Sequence, residues 1–141
     1  MILPLLTTSS GKAVLAFRTP EEQDEIIAQQ HSLLGAPPMP AARLIKAELA
    51  QGASKGYVTS MDTQEAGVSS VAVPLFDVAG RSIAGCSVTF PTARRSDEMI
   101  RNCVAALFQH APSMTERLGG IVPETVQALW AKRPQPMEPL T

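Results

Sequence analysis

Apolar residues recur with two different periods along the chain, and the change of period separates helices from strands. Before residue 56 and after residue 95 the spacing is three and four, as on one face of a helix. Between these regions it is short and strand-like, which predicts strands at 57–61, Val68 to Phe76 and Ile83 to Phe90. Because Asp77 to Gly80 forms a turn between the last two, they are expected to pair as an antiparallel hairpin. The pattern predicts an α+β fold.

Start and stop signals bound the first helices. Thr19-Pro20-Glu21-Glu22 is a capping box with proline at the first helical position. The proline-rich segment 35–40 is predicted to be a loop. A further helix is expected from Ala41 to Lys55, ending at Gly56, where a left-handed residue is usual. Pro74 lies inside a strand pattern, so its nitrogen is expected to face a sheet edge or an irregularity.

The last third of the chain is predicted to be helical. Ser96 is the expected N-cap of a long helix with two acids in its first turn. Pro112 is expected to kink or break that helix, with a restart that ends at Gly119-Gly120. A short helix is predicted from Pro123 to Lys132, its apolar face containing Val126, Leu129 and Trp130.

Composition narrows the class of protein further. The chain has 141 residues, 45% of them apolar and 18% charged, with a net charge of -1. This balance excludes a disordered chain and a polybasic nucleic-acid binder. No stretch has the apolar length of a membrane span or the pattern of a signal peptide, so a cytoplasmic protein with no membrane partner is expected.

Metal, disulfide and cofactor chemistry are not predicted. Cys86 and Cys103 are expected to be two buried thiols rather than a disulfide. His31 and His110 stand far apart, with no cysteine or carboxylate at ligand spacing, so we expect no metal site. We predict no cofactor and no catalytic residue, because no nucleophile is accompanied by a recognisable base and orienting group.

The segment Ser9-Ser10-Gly11-Lys12 allows two chemical interpretations. It has the S-x-x-K spacing of a serine–lysine acyl transferase or hydrolase, although the further motifs of such enzymes are missing. It also opens a helix, where free backbone N–H groups and small hydroxyls could bind a carboxylate; an ordinary N-cap would look the same. Both alternatives remain open at this level.

Hydroxyl side chains interrupt the apolar strands. Ser69 and Ser70 lie on one strand, and Ser87 and Thr89 on the next. Alternation places Ser87 and Thr89 on a shared face, opposite Cys86, Val88 and Phe90. That face either meets solvent or, if helices cover it, lines a small polar-walled cavity.

Five segments, taken in order, resemble a known family. They are Pro4-Leu5, Thr8, Ser10-Gly11-Lys12-Ala13 and Leu15-Ala16; Lys55-Gly56-Tyr57; Gly67 to Asp77; Gly80 with Ser87-Val88, Pro91 and Arg94; and the helix from Ser96 with Leu118-Gly119. Together they resemble the effector-binding domain of IclR-type transcriptional regulators. The resemblance covers roughly residues 3–120 and implies a GAF-like antiparallel sheet with helices on both sides.

The resemblance also implies a ligand site. In that family, small ligands, often organic acids, bind between the sheet and its covering helices. The corresponding effector-binding positions in this sequence are Ser9, Ser10, Ser60, Val68, Ser70, Ser87 and Thr89. Leu6 stands where a histidine is frequent, and Ser60 stands where some members have an acid, so the identity of the effector does not carry over.

The implied domain is incomplete at its N-terminus. The expected division is a partial effector-binding domain over 1–120 and a C-terminal extension over 121–141, with a short helix and a proline-rich tail. The winged-helix domain is absent, so any DNA contact is expected through a domain outside this chain. A long uncovered strand edge further predicts a homo-oligomer. The expected function is effector sensing without catalysis, and the alternatives are the serine–lysine enzyme and a stand-alone GAF-like ligand-binding module.

Overall fold

The computed structural model describes residues 6–32, 41–61 and 66–136. The helices are α1 (Ser9–Ala16), α2 (Pro20–Ser32), α3 (Ala42–Lys55), α4 (Asp97–Arg117) and α5 (Glu124–Trp130); the strands are β1 (Val58–Met61), β2 (Val68–Phe76) and β3 (Ser82–Pro91), with a 3₁₀ turn at Thr92–Arg94. The α+β class is confirmed, and the three strands lie between helical regions as the spacing of apolar residues predicts. The predicted loop at 35–40 lies outside the described residues.

The strands form one antiparallel sheet in the order β1-β2-β3. The turn between β2 and β3 is closed by the Asp77 carboxylate, which accepts hydrogen bonds from the N–H groups of Ala79 and Arg81, each at 2.9 Å. Gly80 has a φ of 77°, a conformation that glycine adopts at no steric cost. The predicted hairpin is therefore confirmed, and its turn chemistry lies in Asp77 and Gly80.

Each face of the sheet packs on its own group of helices. One face, with Val58 and Ala72, packs on α1 and α3 together with Leu15, Ile45 and Leu49. The other face carries Val71, Val73 and Phe90 and packs on α4 and α5. Two apolar cores therefore lie on opposite sides of a single sheet, as expected for a sheet with helices on both faces.

Local signals at the element ends agree with the structure. The Thr19 hydroxyl accepts a hydrogen bond from the Glu22 N–H at 3.2 Å, which confirms the capping box. Gly56 ends α3 with a φ of 88°. The last residue pair between β1 and β2 joins Val58 to Ala72, so Pro74 lies beyond the end of that ladder. Pro74 is thus not paired with β1, whereas it does pair with Gly85 on β3. The direction of its nitrogen stays a prediction.

The predicted helix break at Pro112 is wrong. The helix α4 runs from Asp97 to Arg117 with Pro112 inside it. Pro112 is exposed, whereas Ala111 and Thr115 on either side of it are fully buried. Proline removes one backbone hydrogen bond, but the apolar packing of the turns before and after it holds the helix together.

The residues after α4 share a core with the sheet. Val122, Val126 and Trp130 are buried in the same cluster as Val71 and Val73. The Trp130 indole N–H donates a hydrogen bond of 2.9 Å to the Gly56 carbonyl, where α3 ends. The division of the chain at residue 120 stays a prediction.

Among the described helices, none has the length and apolarity that crossing a membrane requires.

Gly120 provides a test of the packing of this segment. A Cβ atom at Gly120 would lie 1.7 Å from the Phe76 carbonyl oxygen, at the end of β2. We expect Gly120→Ala to lower the free energy of unfolding by about 1–3 kcal/mol or more, because backbone on one side or the other must move. Urea unfolding followed by circular dichroism measures this loss.

The neighbouring Gly119 is the matched control. It has a φ of 80°, and a Cβ there would meet nothing within 4 Å. Asparagine tolerates the left-handed conformation better than other side chains, so Gly119→Asn should cost no more than about 1 kcal/mol. Equal losses for the two variants would show that the contact between Gly120 and Phe76 does not constrain the fold.

A surface ion-pair cluster ties the α1–α2 junction to the start of β3. Glu22 accepts from the Arg18 guanidinium at 2.9 Å and from that of Arg81 at 2.7 Å. Arg18 also donates to the Ser82 carbonyl from Nε and Nη2. The hydrogen bond from Arg18, with the charges of Arg81 and Arg18, lowers the pKa of Glu22 below its usual 4.5.

This cluster predicts a pH dependence. A carboxyl whose folded-state pKa is lowered adds stability above about pH 4.5, and that contribution is lost as the pH falls through the lower folded value. Between about pH 5 and pH 3 the melting temperature of the wild-type protein should therefore fall. We expect that of Glu22→Gln to fall less over the same range, because the variant has no carboxyl to protonate at this position. Glu21→Gln, at an exposed residue outside the described ion pairs, is the control. If the melting temperature of Glu22→Gln fell as much as that of the wild type, or more, the proposed contribution of the Glu22 ion pairs to stability would be contradicted.

Candidate functional site

A cavity of about 240 Å³ lies between the start of α1 and the sheet. We call it the hydroxyl cavity, because seven of its eight lining residues carry a hydroxyl group. These residues face it from α1, the residue before α1 and all three strands. The lining residues are Thr8, Ser9, Ser10, Ser60, Val68, Ser70, Ser87 and Thr89, of which only Val68 lacks a hydroxyl. All seven residues of the sequence-predicted site lie here together. Ligand binding by them stays a prediction.

 

Strand register places four of these seven hydroxyl residues. Ser60 on β1 pairs with Ser70 on β2, and Ser70 pairs with Thr89 on β3, so three hydroxyls form one row across the sheet. Ser87 pairs with Ala72 in the next row on the same face. Directly paired residues point to the same side, which puts these groups under α1.

The opposite face confirms the predicted alternation. Cys86, Val88 and Phe90 pack against the core formed with α4. The Ser69 hydroxyl also lies away from the hydroxyl cavity and bonds to the Thr92 hydroxyl at 2.7 Å. Ser69 and Ser70 are neighbours in sequence, yet only Ser70 lines the cavity, because successive strand residues face opposite sides.

The start of α1 lines the cavity, and its first backbone N–H groups are candidate donors. Thr8 is the N-cap of α1: its hydroxyl accepts from the Gly11 N–H at 3.2 Å, and its carbonyl accepts from the Lys12 N–H at 3.0 Å. The N–H groups of Ser9 and Ser10 have no acceptor among the described residues. The Ser9 hydroxyl lies 2.6 Å from that of Ser70. An anion in the cavity would therefore meet free N–H groups at the positive end of a helix.

Two residues of this arrangement were missed by sequence reasoning. Thr8 is both the N-cap and a lining residue, and its position directly before Ser9 was the available signal. Gly85 lies on β3 below the start of α1, where a Cβ would approach the Ser10 carbonyl oxygen to 2.7 Å. Any larger side chain at Gly85 would push α1 away from the sheet. No local pattern marks Gly85, since the close approach arises only in the tertiary structure.

Lys12 is a buried cation behind the cavity. Its Nζ donates to a Glu48 carboxylate oxygen at 3.0 Å and to the Thr59 carbonyl at 2.6 Å. Its side chain is only 4% exposed, so the hydrogen bonds to Glu48 and Thr59 replace most of those that the ammonium group would form with water. Neither described hydrogen bond of the ammonium goes to Ser9 or Ser10. Lys12 thus joins α1 to α3 and β1 and does not activate a serine in this arrangement.

Metal-ligating side chains do not cluster in the part of the chain that the structure describes. No group of three histidine, cysteine or acidic residues lies close enough there to hold an ion. Cys86 and Cys103 are partly buried free thiols. The described residues that line the hydroxyl cavity offer hydroxyl groups and backbone atoms.

Comparison with known proteins shows that this chain resembles the C-terminal domain of a class of bacterial transcriptional regulators. The family described as "Bacterial transcriptional regulator IclR C-terminal" matches residues 1–115. The HTH-type transcriptional regulator KdgR of Escherichia coli is 32% identical over 117 residues, which are 82% of this chain and 44% of KdgR. The chain thus spans less than half the length of that regulator.

Solved structures agree with this match. The C-terminal domain of E. coli KdgR has a TM-score of 0.70 at 34% identity, covering 82% of this chain and 71% of that one. The Thermotoga maritima IclR has a TM-score of 0.68 at 30% identity, covering 82% of this chain and 47% of that one. The inducer-binding domain of PobR from Acinetobacter, at 24% identity and a TM-score of 0.64, shares the fold over 84% of this chain and 68% of that one.

This chain belongs to the IclR family of transcriptional regulators and corresponds to their C-terminal domain. The resemblance found in the five sequence segments is confirmed, and so is the expected fold of an antiparallel sheet flanked by helices.

The buried cation gives a test of how this site is held together. We expect Lys12→Met to lower the free energy of unfolding by about 1–3 kcal/mol, because the Thr59 carbonyl and Glu48 lose a buried partner. Lys46→Met is the matched control, since Lys46 pairs with Asp24 at 2.6 Å but with side chains 36% and 64% exposed. That exposed pair should contribute only about 0–1 kcal/mol. Urea unfolding compares the two, and equal losses would refute a structural role for the buried contacts of Lys12.

Proposed function

We propose that the hydroxyl cavity binds a small carboxylate-bearing effector and that this domain is the effector-sensing part of its regulator. The observation that carries the proposal is that the start of α1, with Ser9 and Ser10, faces a row of hydroxyls across the sheet. Among the residues that the structure describes, those that line the cavity carry no charge. Its donors therefore suit a carboxylate that is stabilised by hydrogen bonds and the α1 dipole.

The related fold of PobR supports this ligand class. The structure of its inducer-binding domain is a complex with 3-hydroxybenzoic acid, a small acid that also carries a hydroxyl group. In this chain, the helix start would receive the carboxylate, and Ser60, Ser70, Ser87 or Thr89 would bond further polar atoms of the ligand. The cavity volume of about 240 Å³ lies below the usual range of small-molecule sites, about 300–1,000 Å³, and therefore favours a compact acid.

Effector binding would be transmitted through α1. A ligand that bonds both the α1 start and the sheet favours one position of that helix over others. Lys12 links α1 to α3 and β1, so a shift of α1 would reach both elements. In the regulator, we propose that this changes the geometry of a homo-oligomer in the cytoplasm and hence its DNA affinity, with DNA contacted by another domain.

We propose binding without catalysis. The engagement of Lys12 with Glu48 and Thr59 supports this, because a serine nucleophile needs a nearby base. The rival serine–lysine hydrolase makes an opposite prediction: a serine-directed probe should label Ser9 or Ser10 covalently. Such labelling, found by mass spectrometry and abolished in Lys12→Met, would replace the binding proposal by an enzyme.

Effector binding is tested by thermal shift with a panel of small carboxylates, hydroxy acids and keto acids. A ligand at 100 times its dissociation constant should add about 2.7 kcal/mol of stability and raise the melting temperature. The uncharged amide of the best acid should bind less well, because the helix-start donors favour an anion. If no acid of the panel produced a shift, the ligand class would be wrong.

Matched variants locate the binding site. We expect Ser87→Val and Thr89→Val each to weaken the affinity for the best acid by about tenfold, because a polar ligand atom loses its partner. Thr125→Val makes the same hydroxyl-to-methyl change at an exposed residue of α5 and should leave the affinity unchanged. Calorimetric titration gives the three dissociation constants. A genuine thermal shift with unaltered affinity in both cavity variants would place the effector elsewhere.

A further inference from the structure

A second cavity, of about 530 Å³, lies on the opposite side of the sheet from the hydroxyl cavity. Its walls come from β1, the first half of α4 and the tail that follows α5, and we call it the α4 cleft. Its volume lies within the range of small-molecule sites in proteins, about 300–1,000 Å³. Strand β1 separates the two cavities, since Ser60 lines one, whereas Thr59 and Met61 line the other.

The floor of the α4 cleft is apolar. It consists of Tyr57, Met61, Ile100 and Val104, which belong to the core on this side of the sheet or pack against it. Tyr57 and Val104 are almost completely buried. A ligand placed here would cover apolar surface that packs on a rigid core, which is the usual basis of affinity in such sites.

The rim of the cleft carries two guanidinium groups that have no side-chain partner in the described part of the chain. Arg95 and Arg101 both line it, and both are exposed. Neither side chain forms an ion pair or hydrogen bond with any residue in the described part of the chain; the ion pairs there involve other cations. Asp97 also lines the cleft, so the described lining residues carry two positive charges and one negative charge, a formal charge of +1. This balance suits a single carboxylate.

The remaining wall is a feature of the C-terminal segment. The Tyr57 hydroxyl donates to the Gln135 carbonyl, which holds the flanking Pro134 and Pro136 at the cleft. These residues follow the region that matches the IclR family, which ends at residue 115. The cleft is thus completed by a segment outside the family match.

We propose that the α4 cleft is a second ligand site, which binds an amphipathic monocarboxylate. The apolar body of the ligand lies on Tyr57, Met61 and Ile100, and its carboxylate accepts hydrogen bonds from Arg95 and Arg101. Guanidinium groups bind carboxylates through strong, directional hydrogen bonds. The site is independent of the effector proposed for the hydroxyl cavity, because it lies on the other face of the sheet.

The test uses octanoate as the probe and 1-octanol as its uncharged match. Two-dimensional ¹⁵N–¹H spectra of the whole chain are recorded while either compound is added. We expect octanoate to shift the amide signals of Thr59, Met61, Ile100 and Arg101 in a saturable manner. 1-Octanol should bind at least about tenfold more weakly, because it lacks the charge-assisted hydrogen bonds.

Charge variants complete the design. Arg95→Gln and Arg101→Gln should each weaken octanoate binding by about tenfold, whereas Arg117→Gln removes an exposed charge at the far end of α4 and should not. Equal affinity for octanoate and octanol, unchanged affinity in both cleft variants, or saturable shifts confined to Ser10, Ser87 and Thr89 would each overturn the proposal. An absence of saturable shifts would do the same.

Discussion

The burial of the middle of β2, between two strands and two groups of helices, is the constraint on which the rest of the structure depends. Val71, Ala72 and Val73 are completely buried. All three pair with β3, Val71 and Ala72 also pair with β1, and helices cover both sides of the sheet. A polar group in such a strand needs a partner or a cavity. Ser69 bonds to Thr92, and Ser70 bonds to Ser9 at the hydroxyl cavity.

The close contact between α1 and the sheet turns this constraint into a candidate binding site. Gly85 allows the start of α1 to approach β3, and Thr8 uses its own hydroxyl to cap the helix while leaving further N–H groups free. Lys12 links the same helix to α3 and β1 through buried polar contacts with Glu48 and Thr59. The site is therefore built on regular elements, which hold donors more rigidly than loops do.

The two sides of the sheet offer different chemistry because β1 presents alternate residues to them. Ser60 faces hydroxyl and backbone donors under α1, whereas Met61 faces an apolar floor with guanidinium groups at its rim. The first site belongs to the region shared with the IclR family, and the second is completed by residues after that region. A single strand can thus contribute to two separate sites without any residue serving both.

The sequence by itself determined what depends on neighbours a few residues apart. Alternation assigned Ser87 and Thr89 to one face, and the capping box and Gly56 marked helix ends, because these features follow from backbone geometry. The continuation of α4 through Pro112, the approach of α1 to Gly85 and the partners of Lys12 were decided only by the tertiary structure. Packing energies and contacts between residues distant in the chain control them, and no local pattern reports such contacts.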